Sequence, residues 1–200
     1  MTFVKICGIC DEATLHAARN ADAVGFVVDS PKSHRNLTHD AAAALVRTAG
    51  PFQVTVAVTA TRDSAALAQI VRDVRPHGLQ APRGADLAPL RKEFPMLRLI
   101  VSCRPEDAHL VSDLADALVL DAATLDGYGG SGQRTDWNVA RVAREAATVP
   151  VILAGGLTPD TVAQAISIVK PYGVDVSSGV ETEKAKDPKK IEAFMQQARG

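Results

Sequence analysis

The 200-residue chain contains no stretch approaching about 18 uninterrupted apolar residues, which excludes a conventional membrane-spanning helix. Cysteine is scarce. Three cysteines, an odd number in a chain long enough for a core of its own, do not make a secreted disulfide framework, and reduced thiols are expected. Charge imbalance is also missing: a formal net charge of −1 gives no electrostatic argument for nucleic acid or anionic lipid as a partner. Any bound phosphate must therefore be held by local groups. There is no low-complexity stretch or linker. The N-terminus opens directly on a strand-like run at 3–6, without a signal-peptide hydrophobic stretch or cleavage site, so a cytoplasmic protein is expected.

What is present is ordinary globular composition, with 46% hydrophobic and 22% charged residues, and enough length for one large core. A single domain over 1–200 is expected. Short apolar runs, several rich in valine, alternate with alanine- and leucine-rich segments of helical spacing, as when each parallel strand is covered by a crossover helix. The pattern predicts eight strands, at 2–7, 23–28, 53–58, 77–80, 98–102, 117–121, 149–154 and 173–176. Helix starts are signalled by Asp11 before Glu12, Thr38 before His39, Asp63 before Ser64, Thr158 before Pro159 and Asp187 before Pro188. Eight such units in 200 residues leave little room for decoration, and the fold class expected is a (β/α)₈ barrel. An open doubly wound sheet has the same alternation of elements. Two longer loops, 29–37 and 122–136, follow strand ends, on the face where barrel enzymes assemble their sites.

Chemistry-bearing residues gather at those strand ends. Cys7 closes the first strand, where a thiol works as a general base if cations or a helix N-terminus bring its pKa toward neutrality; the plainer alternative is a small buried hydrophobe. Cys7 and Cys10 also form a C-x-x-C, but Gly8-Ile9 at the head of eight repeating units does not suit a thioredoxin-like domain. Zinc lacks a second ligand pair among Cys103, His16, His34, His39, His77 and His109. Asp121 ends the apolar run Ala117-Leu118-Val119-Leu120, a place where apolar walls can keep a carboxyl protonated for use as a general acid, or where it simply accepts backbone hydrogen bonds. Gly127-Tyr128-Gly129-Gly130-Ser131-Gly132 follows it. Gly155-Gly156 after the seventh strand and Ser178-Gly179 after the eighth are paired glycine-containing turns, suited to cradling a phosphate with backbone N–H groups. Arg35, in the loop after the second strand, can grip a carboxylate with two parallel bonds or belong to a solvated surface loop, and Asp175 can orient a substrate amine or hydroxyl or equally serve as a structural acceptor.

Five segments in register resemble the phosphoribosylanthranilate isomerase family: Lys5-Ile6-Cys7-Gly8; Gly25-Phe26-Val27 with Pro31-Lys32-Ser33-His34-Arg35; Leu120-Asp121 with Gly129-Gly130-Ser131-Gly132 and Asp136-Trp137; Ala154-Gly155-Gly156-Leu157-Thr158-Pro159; and Val174-Asp175-Val176-Ser177-Ser178-Gly179-Val180-Glu181. The resemblance spans nearly the whole chain. It implies a cofactor-free, metal-free Amadori rearrangement in tryptophan biosynthesis, with a small phosphorylated substrate and a monomeric or homodimeric enzyme. By the same resemblance, Asp121 is the acid and Cys7 the base. Arg35 meets the anthranilate carboxylate, Asp175 faces its amine, Gln80 belongs to the site, and Gly155, Gly156, Ser178 and Gly179 bind phosphate.

The chain departs from the family pattern at Val56-Ala57-Val58-Thr59-Ala60, which lacks an aromatic, at Gln80-Ala81-Pro82-Arg83-Gly84, which lacks a histidine, and at Ala185, where a glycine is usual. The histidine-pathway phosphoribosyl isomerases perform the same rearrangement on a similar barrel but pair two aspartates. A non-catalytic barrel binding a phosphorylated metabolite or a partner protein is the alternative from another class.

Overall fold

The computed structural model describes residues 2–111, 113–122 and 135–200, so the glycine-rich stretch 127–132 lies outside the described residues. Eight parallel strands run β1 (Phe3–Cys7), β2 (Ala23–Val28), β3 (Val54–Val58), β4 (Gly78–Pro82), β5 (Arg98–Cys103), β6 (Ala117–Leu120), β7 (Val151–Leu153) and β8 (Gly173–Val176). Each bonds to its successor, and β1 bonds both to β2, with Cys7 opposite Gly25, and to β8, with Lys5 opposite Asp175. That double pairing closes the sheet into a barrel and excludes the open doubly wound alternative. Strand ends fall within two residues of those expected.

Among the described residues seven α-helices cover the strands: α1 (Glu12–Ala17), α2 (His39–Thr48), α3 (Ser64–Val74), α4 (Ala88–Glu93), α5 (Trp137–Ala146), α6 (Val162–Val169) and α7 (Pro188–Arg199). Four of the expected starts are side-chain caps, with Asp11, Thr38, Asp63 and Asp187 accepting from the N–H groups of Thr14, Ala41, Ala66 and Lys189. Thr158 does not start a helix. Its N–H donates to Thr161 Oγ1 at 3.0 Å, which folds 158–161 into a turn, and α6 begins only at Val162. Between β5 and β6 the crossover is a 3₁₀ helix (Pro105–Leu110) rather than an α-helix, since Arg104 gives no side-chain cap and the 104–116 connection is short. In the loop after β2, Asn36–Leu37 adds a short parallel pairing to the end of β2 that the sequence pattern does not announce.

Alternation along the strands sorts two cores. Val4, Ile6, Val24, Phe26, Leu79, Val174 and Val176 face outward into the layer shared with the helices. On α7, Ile191, Phe194, Met195 and Ala198 recur at helical spacing on the covered face, and burying Phe194 alone contributes about 2 kcal/mol. Inside the barrel, Val56, Ile100, Val119, Ile152 and Ala154 form a separate apolar cluster from β3 and β5–β7. Polar side chains also point into the barrel: Lys5 from β1, Gln80 from β4 and Asp175 from β8 are all buried. Among the described residues no helix is long and apolar enough to cross a membrane.

Candidate active site

Because Lys5 and Cys7 are two apart on β1, both point into the barrel, and glycine on the neighbouring strand makes room for them. A Cβ at Gly25 would lie 2.9 Å from Cys7 Sγ and 3.2 Å from Lys5 Nζ, closer than side chains pack. The Lys5 ammonium donates to Asp175 Oδ1 at 3.0 Å and Gln80 Oε1 at 3.1 Å, and the Cys7 sulfur lies on the same side of the pocket, over Gly25. Burial opposes the Lys5 charge, yet the Asp175 carboxylate and the sulfur hold its pKa above the ordinary value. For Cys7 the balance is reversed: burial pushes the thiol up, Asp175 adds to this, and the pull of Lys5 and Lys186 does not cancel it. The cations that a thiol base requires are therefore present, but desolvation outweighs them in the closed interior.

A second cluster lies against the first. Ser177 Oγ donates to the Cys7 carbonyl at 3.1 Å, and Lys186 Nζ donates to Ser177 O at 2.9 Å, to Ser177 Oγ at 3.1 Å and to Glu181 Oε1 at 2.8 Å. Arg35 grips the same carboxylate through Nε at 2.6 Å and Nη2 at 2.7 Å. Its stem lies over Gly8, at φ +76°, where a Cβ would overlap Arg35 Cδ. Burial works to raise the Glu181 carboxyl, but the Arg35 and Lys186 bonds prevail and hold it down at about 2. Glu181→Gln is accordingly expected to destabilise the protein by about 2–3 kcal/mol at neutral pH, since two buried cations lose their counter-charge. The folded-state pKa is depressed, so this contribution is present above the ordinary glutamate value and lost as pH falls toward about 2. Urea unfolding of both proteins across that range should show the difference shrinking; a constant difference would refute the pairing.

Asp121 follows β6, its N–H bonded to Cys103 O at 3.0 Å. Gly155, at φ +84°, stands beside it: a Cβ there would lie 3.1 Å from Asp121 Oδ1 and overlap Thr135 Oγ1. The Thr135 hydroxyl accepts from Ala122 N at 3.0 Å and donates to Ala154 O at 2.9 Å, so both ends of the loop after β6 are tied to the end of β7. Gly156 also has positive φ, +67°. Ser178 and Gly179 begin a 3₁₀ turn, Ser178–Val180, and a Cβ on Gly179 would overlap the Leu157 carbonyl oxygen. The turns after β7 and β8 thus meet backbone to backbone. Gly179→Ala is expected to separate them at a cost of about 1–3 kcal/mol in urea unfolding, with an unchanged midpoint counting against this contact.

The sequence-predicted residues fall into three groups. Cys7, Gln80 and Asp175 converge on Lys5, Arg35 is paired with Glu181, and Asp121 neighbours the Gly155 turn. Cys7, Cys10 and Cys103 are all free, and Cys10 Sγ is turned to the carbonyls of Gly8 and Arg35 at 3.5 and 3.6 Å. Among the described residues no group of three or more His, Cys, Asp or Glu is placed to hold a metal. Lys5, Glu181, Lys186 and Thr135 were not singled out from the sequence. Lys5 had a readable signal, a lone charge at an inward position of an apolar strand, of the same kind that marks Asp121.

A closed parallel barrel whose polar residues collect at the C-terminal ends of its strands is a barrel enzyme with its site at that mouth. The family model for N-(5′-phosphoribosyl)anthranilate isomerase matches residues 4–197. An N-(5′-phosphoribosyl)anthranilate isomerase of Methanothrix thermoacetophila is 41% identical, covering 100% of this chain and 99% of its own. The solved structure of the Pyrococcus furiosus enzyme of that name superposes with a TM-score of 0.84 at 31% identity, covering 100% of this chain and 99% of the other. Another, solved in complex with reduced 1-(o-carboxyphenylamino)-1-deoxyribulose 5-phosphate, has a TM-score of 0.79 at 27% identity over 100% of both chains. The chain belongs to the phosphoribosylanthranilate isomerase family, and it is an isomerase.

Proposed function

We propose that residues 1–200 form one barrel domain that converts N-(5′-phosphoribosyl)anthranilate into 1-(o-carboxyphenylamino)-1-deoxyribulose 5-phosphate, a step of tryptophan biosynthesis, with Asp121 as acid and Cys7 as base. The observation that carries this reading is the order of strands around the mouth. Asp121 follows β6, Cys7 ends β1, and the glycine turns after β7 and β8 stand between them. A sugar whose phosphate rests on Gly155, Gly156, Ser178 and Gly179 then has the acid on one side and the base on the other.

In this reading the Asp121 carboxyl gives its proton to the furanose ring oxygen; the C1–O bond breaks and C1 becomes an iminium with the anthranilate nitrogen. Cys7 takes the C2 proton, and the released electron pair neutralises the iminium to give an enolamine, which tautomerises to the ketone. Only protons move, so the sequence balances without a cofactor. The Asp175 carboxylate favours the cationic nitrogen. Glu181 occupies the Nε–Nη2 edge of Arg35, so the aglycone carboxylate approaches along the Nη1 side. The protein acts on a free small molecule in the cytoplasm, as a monomer or homodimer.

Purified protein should consume phosphoribosylanthranilate with loss of the substrate's fluorescence, and the gene should restore growth without tryptophan to a strain lacking the isomerase step. Absence of turnover, with growth not restored, would overturn the reading.

A further inference from the structure

Lys5 is among the largest side chains that are wholly buried, and none of the steps above uses it. A buried ammonium is costly, typically by several kcal/mol, unless its donors are all engaged and its charge is answered. Here two donors have partners on different strands, Asp175 on β8 and Gln80 on β4, and the Cys7 sulfur shares with the ammonium the space over Gly25. We propose that Lys5 is the positioning residue of the site: its ammonium, lodged with the Cys7 sulfur over Gly25, favours the thiolate that accepts the C2 proton over what burial alone would allow, while fixing the Asp175 carboxylate and the Gln80 amide around the same pocket. The inference rests on the reading of Cys7 as the base.

Four charged groups act on the sulfur: Lys5, Asp175, Lys186 and Arg35. Lys186 spends its donors on Ser177 and Glu181, and Arg35 is committed to Glu181. Lys5 is left as the cation whose attraction acts most strongly on the sulfur, beside it over Gly25. Asp175 works in the opposite sense, since its negative charge disfavours a second anion nearby. Gly25 is what lets sulfur and ammonium lie together, because any Cβ there would press on both. A purely structural lysine would tie β1 to β4 and β8 without influencing how readily the sulfur ionises.

The test is a thiolate titration by ultraviolet absorbance in a Cys10→Ser background, taken as the difference from the matching Cys7→Ser protein, alongside the pH profile of kcat/KM. Cys103 is pushed up to about 12 and stays silent over the range. Lys5→Met should move the Cys7 midpoint to higher pH by at least about one unit, lowering both thiolate fraction and kcat/KM about tenfold or more at any pH below it. Asp175→Asn should move the midpoint the other way. A midpoint unmoved in Lys5→Met, or both variants shifting in the same direction, overturns the proposal. If Lys5→Met fails to fold by circular dichroism, Gly25→Ala decides: a rise in the midpoint supports the proposal and an unmoved midpoint overturns it. Normal turnover by Cys7→Ser would instead remove Cys7 as the base, a result the titration distinguishes from failure of the Lys5 assignment.

Discussion

Cys7→Ser is expected to lower kcat at least about a hundredfold with KM changed only a few-fold, because a serine hydroxyl cannot replace a thiol as proton acceptor while the surrounding contacts survive. Serine keeps the small volume that Gly25 allows and leaves the Ser177 bond to the Cys7 carbonyl untouched. The loss therefore belongs to the chemical step. The pH dependence carries the finer test. Burial raises the thiol pKa, and the reactive form is the deprotonated one, so in the unaltered enzyme kcat should climb with pH through the neutral range rather than reach a plateau there. The residual activity of the serine variant should lack that limb. Near-normal turnover, or a limb that persists in the variant, would remove Cys7 from its role.

The second large effect is expected at Asp121→Asn, again at least about a hundredfold in kcat. Asparagine preserves shape and hydrogen-bonding capacity but has no proton to give to the ring oxygen, so the sugar stays closed and the base has no acidic C2 proton to remove. Gly155 and the Thr135 clasp hold position 121 from outside the reacting atoms, and neither depends on the carboxyl ionising. A variant retaining more than about a tenth of normal kcat would show that the acid lies elsewhere. Both substitutions bear on steady-state assays of the same substrate, so they can be compared directly.

The strands were legible because each is an apolar run bounded by turn residues, whereas the burial of Cys7 was not, since a strand end beside a loop reads as accessible until the barrel closes over it. Caps at Asp11, Thr38, Asp63 and Asp187 were legible for the same local reason. Thr158 misled because Thr-Pro satisfies the rule for a helix start, whereas the Thr161 hydroxyl, three residues on, claims its N–H and delays the helix. The 3₁₀ crossover at Pro105–Leu110 was hidden because a short capless connection looks like a helix in outline. At the site, the partnership of Lys5 with Gln80 spans 75 residues, Arg35 with Glu181 spans 146, and Lys5 with Asp175 spans 170. No local pattern reports such contacts. The sequence marks what stands on each strand end, while barrel closure decides which of those groups meet.

The seam between β1 and β8, where the opening strand of the chain lies against the closing one, has a consequence for biosynthesis. A nascent chain can string together its middle strands as they leave the ribosome, but the pocket around Lys5 waits for the arrival of Asp175. Shortened products ending before that strand should be catalytically dead however much of the barrel they contain, and the final stage of assembly should be slow, since its two halves must find each other across nearly the whole polypeptide.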